Sequence, residues 1–178
     1  GIEAAGFLDD RFPTTLRGIP DPPTVVFLRG VLADGSVAAV AIVGARRPSS
    51  RSTEATKKAA ELSVGYGASV ISGLAIGCDA VAHQTCVDMG GHTVAVLAHG
   101  LGVPIQPRRN RGLAESIVSS GGALISEYRL PVDPSRRHFV DRNRMQSGLA
   151  WGVFVVESRA DGGTMHTATF ASRQGRPL

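Results

Sequence analysis

Five short apolar runs, spaced about 25–30 residues apart, constrain the fold of this chain more than any other feature. The runs are Val37–Val43, Ala68–Ser72, His92–Leu97, Ala123–Ser126 and Val153–Glu157. They show little alternation with polar residues, which is typical of strands buried on both faces of a sheet. Their spacing matches the length of a strand followed by a crossover helix, so the runs predict parallel strands.

Helix candidates lie between and after these runs. They are Thr53–Val64, Cys78–Met89, Asn110–Ser119, Arg142–Ala150 and Thr164–Gln174. Glycines such as Gly65 and Gly90 stand where helix C-caps belong. The alternating elements predict an α/β fold, a Rossmann-like, doubly wound and mostly parallel sheet with helices on both faces.

The two ends of the chain differ from this pattern. Residues 1–36 include the proline-rich stretch Arg11–Pro23 and are predicted to form an extended N-terminal arm with one short strand at Val25–Arg29. We expect the Rossmann-like domain to occupy residues 37–178. Only Gly175–Leu178 follow the last predicted helix, where a further strand is expected, so we expect the chain to be truncated at that C-terminal strand.

The composition excludes several classes of protein. Hydrophobic residues make up 43% of the 178 residues, which a disordered chain does not carry. No apolar stretch approaches the length of about 18 residues that a membrane span needs, and the start, GIEAAGFLDD, lacks the basic region of a signal peptide. Two cysteines, Cys78 and Cys86, cannot make a disulfide scaffold, and we expect a cytoplasmic protein.

The basic residues are nearly all arginine, and most of the arginines follow predicted strands. Of the 17 arginines, 12 lie in or beside connections from strand to helix: Arg46, Arg47, Arg51, Arg108, Arg109, Arg111, Arg129, Arg136, Arg137, Arg142, Arg144 and Arg159. These connections open on one edge of a parallel sheet, where ligands bind. Guanidinium groups fit phosphate oxygens, so the edge is predicted to bind an anionic ligand, and the net charge of +4 permits a polyanion. The alternative is that these arginines are solvated loop residues paired with acids.

Glycine-rich turns lie on the same predicted edge. They are Val43–Pro48, Ser72–Asp79 and Asp161–Met165, and each leads from a strand towards a helix. A helix N-terminus with small residues offers free N–H groups to a phosphate. None of the three turns is a Walker A loop or a GxGxxG motif, and ordinary turn chemistry between strand and helix accounts for them equally well.

At six segments the sequence resembles the DNA-processing protein A family, called DprA or Smf. The segments are VAIVGAR at Val40–Arg46, SGLAIGCDAVAH at Ser72–His83, AVLAHGL at Ala95–Leu101, SEY at Ser126–Tyr128, RNR at Arg142–Arg144 and GTMHTA at Gly163–Ala168. They occur in the family's order and at its distances, and the likeness covers about residues 11–178.

The resemblance implies a Rossmann-like domain that binds single-stranded DNA, protects incoming DNA during natural transformation and helps to load the recombinase RecA. It implies a homodimer, and it implies no catalysis, no cofactor and no metal. The family's Gly-Ser-Arg motif, which contributes to a DNA-phosphate pocket, corresponds to Gly44, Ala45 and Arg46, so one hydroxyl contact is lost here. Gln106 stands where the family commonly has a tyrosine before proline, so no aromatic contact is expected there.

Residue types and resemblance together predict one DNA-binding set. Its members are Gly44, Arg46, Arg47, Ser72, Gly73, Arg109, Asn110, Phe139, Arg142, Asn143, Arg144, Gly162, Gly163 and Thr164. Arg142–Arg144 fall at a predicted helix start, where cations are unfavourable without an anion. Phe139 could stack on a base or pack in the core, and Gly162–Thr164 could hold an anion or only cap a helix. Asp79 and His83 are expected to be structural.

Two other functions compete with DNA binding. Related Rossmann-like proteins cleave the N-glycosidic bond of nucleotides, and Glu127 and Glu157 end adjacent runs where such an enzyme would place carboxylates. Against an enzyme, the helix that follows Gly162–Thr164 carries no acid in its first turns. The third hypothesis is a nucleotide-sensing or scaffold domain with a degenerate pocket.

Overall fold

A sheet of seven strands runs through the molecule, and all 178 residues are described by the computed structural model. The strands are β1 Glu3–Gly6, β2 Val25–Gly30, β3 Ala39–Val43, β4 Ser69–Ser72, β5 Thr93–Val96, β6 Ala123–Ser126 and β7 Gly152–Val155. Their order across the sheet is β1-β2-β6-β5-β4-β3-β7. The five strands from β6 to β7 are parallel, and β1 and β2 are antiparallel to their neighbours.

The helices cover both faces of this sheet. They are α1 Thr14–Arg17, α2 Ser50–Gly65, α3 Cys78–Asp88, α4 Arg111–Ser119, α5 Arg136–Leu149 and α6 Gly163–Arg173, with a 3₁₀ turn at Arg108–Asn110. One layer contains α2, α3 and α4, and the other contains α1, α5 and α6. No helix combines the length and the apolarity that crossing a membrane requires.

Strand β3 shows why the central strands read as unbroken apolar runs. Ala41 and Val43 pack in the cluster beneath α5, together with Met145, whereas Ile42 packs beneath α2 and α3 with Ala82. Both faces of the strand are therefore buried, and no position favours a polar residue. The predicted Rossmann-like, doubly wound fold is confirmed, and every predicted central strand is present.

The chain reverses its direction across the sheet at β3. It moves from β3 outward to β4, β5 and β6, and then returns through α5 to place β7 on the other side of β3. The carboxyl ends of β3 and β7 therefore flank the topological switch point, which is where sheets of this type bind ligands.

The short strand expected at Val25–Arg29 is present as β2, whereas most of the expected extended arm at residues 1–36 is packed against the rest of the molecule. Strands β1 and β2 form an antiparallel pair, and β2 continues the sheet beside β6. Phe12, Leu16 and Ile19 are buried in the largest core cluster, although they lie within the proline-rich stretch. Burial of these three apolar side chains against α5 and the sheet outweighs the preference of proline-rich sequence for an extended path.

Helix α5 begins six residues before the predicted start at Arg142. Ser135 is the N-cap, and its hydroxyl accepts a hydrogen bond from the His138 N–H at 3.2 Å. Arg142 and Arg144 are consequently in the middle of a helix, not at its N-terminus. Their positive charges therefore do not meet the positive end of the helix dipole, as the predicted helix start implied.

The residues after α6 lie beside the outer strand. The Val153 N–H of β7 donates to the carbonyl of Pro177 at 2.9 Å. The further strand expected after the last helix, and the division of the chain at residue 37, stay predictions.

Candidate functional site

A cavity of about 650 Å³ lies at the switch point, beyond the ends of β3 and β7. Four segments line it: the loop after β3, one face of α5, the loop after β7 and the start of α6. Its polar and charged lining residues include Arg46, Arg47, Asn143, Glu157 and Thr164.

The loop after β3 presents Arg46 because the backbone beneath it is tightly packed. A Cβ atom at Gly44 would stand 2.5 Å from the sulfur of Cys78, so only glycine allows this approach. The Cys78 N–H at the start of α3 donates to the carbonyl of Ala45 at 3.1 Å and holds the loop. The exposed Arg46 guanidinium lies over the ring of Phe139, 5.3 Å from its centroid, which fixes the arginine at the cavity.

The start of α6 forms the opposite wall. Its N-cap, Gly162, has no capping side chain, and the N–H groups of Gly163 and Thr164 donate to no protein acceptor. The Thr164 hydroxyl donates instead to the carbonyl of Gly44 at 3.1 Å, and the Asn143 amide donates to the carbonyl of Gly163 at 3.2 Å. These two bonds hold α6 so that its free N–H groups and its positive dipole end face the cavity.

Arg142 forms the floor of the cavity. Its side chain donates to the carbonyl of Val96 at 2.6 Å, and its Nε is buried without a partner. Burial, with a smaller effect of the Arg46 charge, lowers the pKa of Arg142 to about 10, while the Asp79 carboxylate opposes that change. Arg142 therefore stays charged at neutral pH, since a pKa near 10 lies well above it.

Asp79 is the buried partner of Arg142. Its carboxylate accepts from the N–H groups of Gly73 at 3.2 Å and Ala75 at 3.3 Å. Burial raises the pKa of Asp79, and the Arg142 charge and the two N–H groups act against that rise. The two backbone donors and the nearby guanidinium favour the ionised carboxylate, as groups that donate to or attract an anion do.

The structure brings together nine of the fourteen predicted residues. Those lining the cavity are Gly44, Arg46, Arg47, Phe139, Arg142, Asn143, Gly162, Gly163 and Thr164. The other five do not line it, and each has another place in the structure.

Four of those five lie at the ends of β4 and β5. Ser72 is fully buried and donates to the carbonyl of Ile42 at 2.6 Å, and Gly73 is buried against Arg142, with no room for a Cβ. The amide of Asn110 donates to the carbonyl of Leu74 at 2.9 Å. Arg109 is exposed in the 3₁₀ turn before α4, outside the cavity. The glycine-rich turn after β4 suggests a strand end that a ligand can reach. The sequence does not reveal that the Arg142 side chain, from α5, covers this end.

Arg144 faces away from the cavity. Both of its terminal nitrogens donate to the Glu127 carboxylate at 2.6 Å, and its Nε lies 3.2 Å from a carboxylate oxygen of Asp21. Its side chain is 8% exposed, so this guanidinium is not available to a ligand in the structure. Arg142 and Arg144 are two residues apart and therefore point to different sides of α5.

Most arginines of the predicted rim have no acidic partner. Arg137 pairs with Asp141 on α5, and Arg159 pairs with Asp161. The rim arginines without any carboxylate within 4 Å, Arg142 aside, are Arg46, Arg47, Arg51, Arg108, Arg109, Arg111, Arg129 and Arg136. The edge of the sheet therefore carries a surplus of positive charge.

The two acids considered for an enzyme do not converge. Glu127 is held by Arg144, and only Glu157 lines the cavity. Glu157 accepts from the N–H of Ser49 at 3.0 Å and from its hydroxyl at 3.2 Å. No three His, Cys, Asp or Glu side chains form a group that could hold a metal ion.

The sheet order and the cavity at its switch point define a Rossmann-like α/β protein. The family model described as DNA recombination-mediator protein A matches residues 3–178. The chain is 38% identical over 174 residues to the Smf protein of Synechocystis, covering 96% of this chain and 43% of that protein. The chain belongs to the DNA recombination-mediator protein A family, and the resemblance identified from its sequence is confirmed.

Two solved structures share this fold over nearly the whole chain. DNA processing protein A from Streptococcus pneumoniae superposes with a TM-score of 0.88 at 34% identity, covering 98% of this chain and 61% of that one. The protein of the same name from Helicobacter pylori, whose structure concerns its single-stranded DNA binding mode, gives 0.87 at 26% identity and covers 99% and 79%. The chain spans about half the length of the curated relatives that it matches.

Proposed function

We propose that this chain binds single-stranded DNA through its phosphates in the switch-point cavity. The observation that carries the proposal is that two kinds of phosphate-binding group line the same cavity. They are the guanidinium groups of Arg46 and Arg47, which have no carboxylate partner, and the free N–H groups at the start of α6. Guanidinium forks and helix N-termini are the two protein groups best suited to phosphate oxygens. The solved Helicobacter pylori relative, described for its single-stranded DNA binding mode, supports the choice of polyanion.

One part of this cavity is suited to stacking with a base. The Arg46 guanidinium and the Phe139 ring lie together in the lining, 5.3 Å apart, and both are groups on which a base can stack. Stacking on aromatic rings or guanidinium planes is tolerant of base identity. Because the chain has only 9 aromatic residues, we expect phosphate contacts to dominate and affinity to depend steeply on salt.

The remaining roles follow from family membership as part of the same proposal. We propose that the protein protects incoming DNA during natural transformation, assists the loading of RecA, works in the cytoplasm as a homodimer and catalyses no reaction. The engagement of Glu127 by Arg144 supports a non-enzymatic role, since N-glycosidic bond cleavage needs free carboxylates at the reacting centre.

The test replaces one cavity arginine at a time. We expect Arg46→Ala to weaken binding of labelled oligo(dT) and of a mixed-sequence oligonucleotide by a similar factor of about ten, because a charge-assisted phosphate contact is lost. The salt dependence should fall by about one phosphate. Fluorescence anisotropy over a range of KCl concentrations measures both quantities.

Arg173→Ala is the matched control. Arg173 is exposed and has no carboxylate partner, but it lies in the last turn of α6, at the far end of the helix from the cavity. Its loss should leave affinity nearly unchanged. Equal effects of the two substitutions would remove the cavity from the binding site.

A further inference from the structure

Six charged residues line the cavity, and three of them have an opposite charge nearby. They are Arg46, Arg47, Asp79, Arg142, Glu157 and Arg159. Asp79 and Arg142 are both buried at the floor, where the charge of each favours the charge of the other. Arg159 at the rim lies 3.4 Å from Asp161, and both side chains are more than three-quarters exposed. The groups left facing the cavity are two cations, Arg46 and Arg47, and one anion, Glu157.

Glu157 is held where an anion would otherwise bind. Its Oε2 accepts from the N–H and the hydroxyl of Ser49, the N-cap of α2. Hydrogen bonds from Ser52 and Ser49 lower the pKa of Glu157, so it is ionised at neutral pH. The protein thus places its own carboxylate at the start of α2, while the start of α6 is left open.

Neither cavity arginine neutralises this carboxylate. No nitrogen of Arg46 or Arg47 lies within 4 Å of a carboxylate oxygen, although both arginines line the same cavity as Glu157. The two cations and the anion therefore all act on an incoming ligand, with a net surplus of one positive charge.

We propose that Glu157 shifts the preference of the cavity away from doubly charged terminal phosphates and towards singly charged phosphodiesters. The inference rests on the proposed binding of DNA and names the kind of phosphate that Glu157 disfavours. A phosphodiester inside a strand carries one negative charge, whereas a terminal phosphate carries about 1.5 to 2 near pH 7. The Glu157 carboxylate repels the additional charge, because like charges at close range repel. Glu157 thus offsets part of the stronger attraction that the cavity cations exert on free nucleotides and phosphorylated ends.

The experiment compares two ligands that differ in a single charge. Thymidine 5′-monophosphate and its O-methyl ester compete with labelled oligo(dT) for the protein. Glu157→Gln keeps an acceptor for Ser49 and should shift the ratio of the two affinities towards the monophosphate by at least about threefold, an effect of the size that one screened charge pair produces.

Two further variants separate selectivity from structure or general charge. Glu157→Asp keeps the negative charge and should retain the native ratio. Asp88→Asn removes an exposed carboxylate at the end of α3, outside the cavity lining, so it should leave the ratio of the two affinities unaltered. Thermal unfolding of each variant confirms that the fold is intact.

The outcomes distinguish this inference from the proposed function. If labelled oligo(dT) binds and depends on Arg46, but Glu157→Gln leaves the ligand ratio unchanged or shifts it towards the methyl ester, the role of Glu157 is refuted and DNA binding stands. If oligo(dT) does not bind the native protein, the proposed function itself fails.

Discussion

Arg142 and Arg144 have the same side chain and neighbouring places on α5, but their surroundings give them different tasks. Arg142 lies beneath the cavity with Asp79 nearby, so its charge contributes to the floor of the site. Arg144 is bound to Glu127 and Asp21 and joins α5 to the loop after β6 and to the N-terminal segment. The partners that surround a guanidinium, not its sequence motif, decide whether it can meet a ligand.

Loss of Arg144 is therefore expected to lower the stability of the protein and not to remove a contact with DNA. Arg144→Ala would leave Glu127, whose side chain is 16% exposed, without its partner, and should lower the free energy of unfolding by about 3 kcal/mol. Urea denaturation measures the change. Arg137→Ala on the same helix breaks an exposed pair and should cost less than about 0.5 kcal/mol. A stable Arg144→Ala protein that no longer binds oligo(dT) would show that Arg144 contacts DNA after all.

At the level of single residues, the sequence predicts exposed site residues better than buried ones. Arg46 and Gly162–Thr164 follow strands and open a helix, and those positions alone place them at the edge of the sheet. Glu157 was recognised as an acid at the end of a run, but its bond to Ser49 joins segments 108 residues apart. Contacts of this kind depend on tertiary packing and leave no local signal.

At the scale of elements, the loop after β3 and the start of α3 pack closely together at the site. Gly44→Ala would place a Cβ 2.5 Å from the sulfur of Cys78, and one of the two elements would have to move. We expect a loss of about 1–3 kcal/mol in stability, the usual effect of overpacking, measured by urea denaturation. Oligo(dT) affinity should fall as well, because Arg46 moves with the loop.

Gly163→Ala is the matched substitution on the other wall. A Cβ at Gly163 would have no atom within 4 Å, so this variant should keep the stability of the native protein. Cys78→Gly removes both the sulfur and the Cβ, which would stand 2.5 and 2.8 Å from the new Cβ, so Gly44→Ala should cost less stability in that background than in the native protein. An equal cost in the two backgrounds would contradict a steric cause.

Strands and helices were predicted well where buried apolar residues follow a regular pattern along the chain, and poorly where they do not. The five parallel strands agree with their apolar runs to within about two residues, because strands buried on both faces leave no polar positions. The early start of α5 was missed because Arg136–Asp141 carry mainly polar residues that no apolar pattern marks. Strand β2 was predicted at Val25–Arg29, but its place beside β6 was not, because the paired residues Phe27 and Ser126 lie far apart in the chain. Strand β1 was missed.

For the whole molecule, buried histidines link stability to pH. His83 is fully buried beside Thr93, whose hydroxyl donates to the carbonyl of Val70, so the imidazole Nδ1 donates to that hydroxyl. Burial, reinforced by the Arg142 charge, lowers the pKa of His83 to about 3 from 6.5. Burial likewise lowers the pKa of His99.

Stability should therefore decrease as the pH falls below about 6.5. In that range the unfolded chain takes up protons on these histidines more readily than the folded protein does. His83 contributes a slope of up to about 1.4 kcal/mol per pH unit, and His99 acts in the same direction. Urea denaturation between pH 6.5 and 5 tests this, because carboxylates remain largely ionised there. His83→Gln should reduce the slope, and an unchanged slope would show that His83 titrates normally in the folded state.

The location of the site is the property of the whole molecule that the sequence predicts most securely. The order of runs and helices implies a doubly wound sheet, and the arginines after the strands indicate which edge binds a ligand. Which pair of strands flanks the cavity depends on the strand order, and that order becomes visible only when the chain is folded.

The antiparallel ribbon of β1 and β2 has a consequence for self-association. Its inner strand occupies the hydrogen-bonding edge of β6, from Phe27 opposite Ser126 to Gly30 opposite Ala123. Without that ribbon, β6, with its four apolar or small residues, would be an unpaired edge strand. Unpaired edge strands form hydrogen bonds with strands of other molecules. The first thirty residues thus cover the β6 edge and keep it from pairing with another molecule. They lie on the side of the sheet farthest from the ligand cavity.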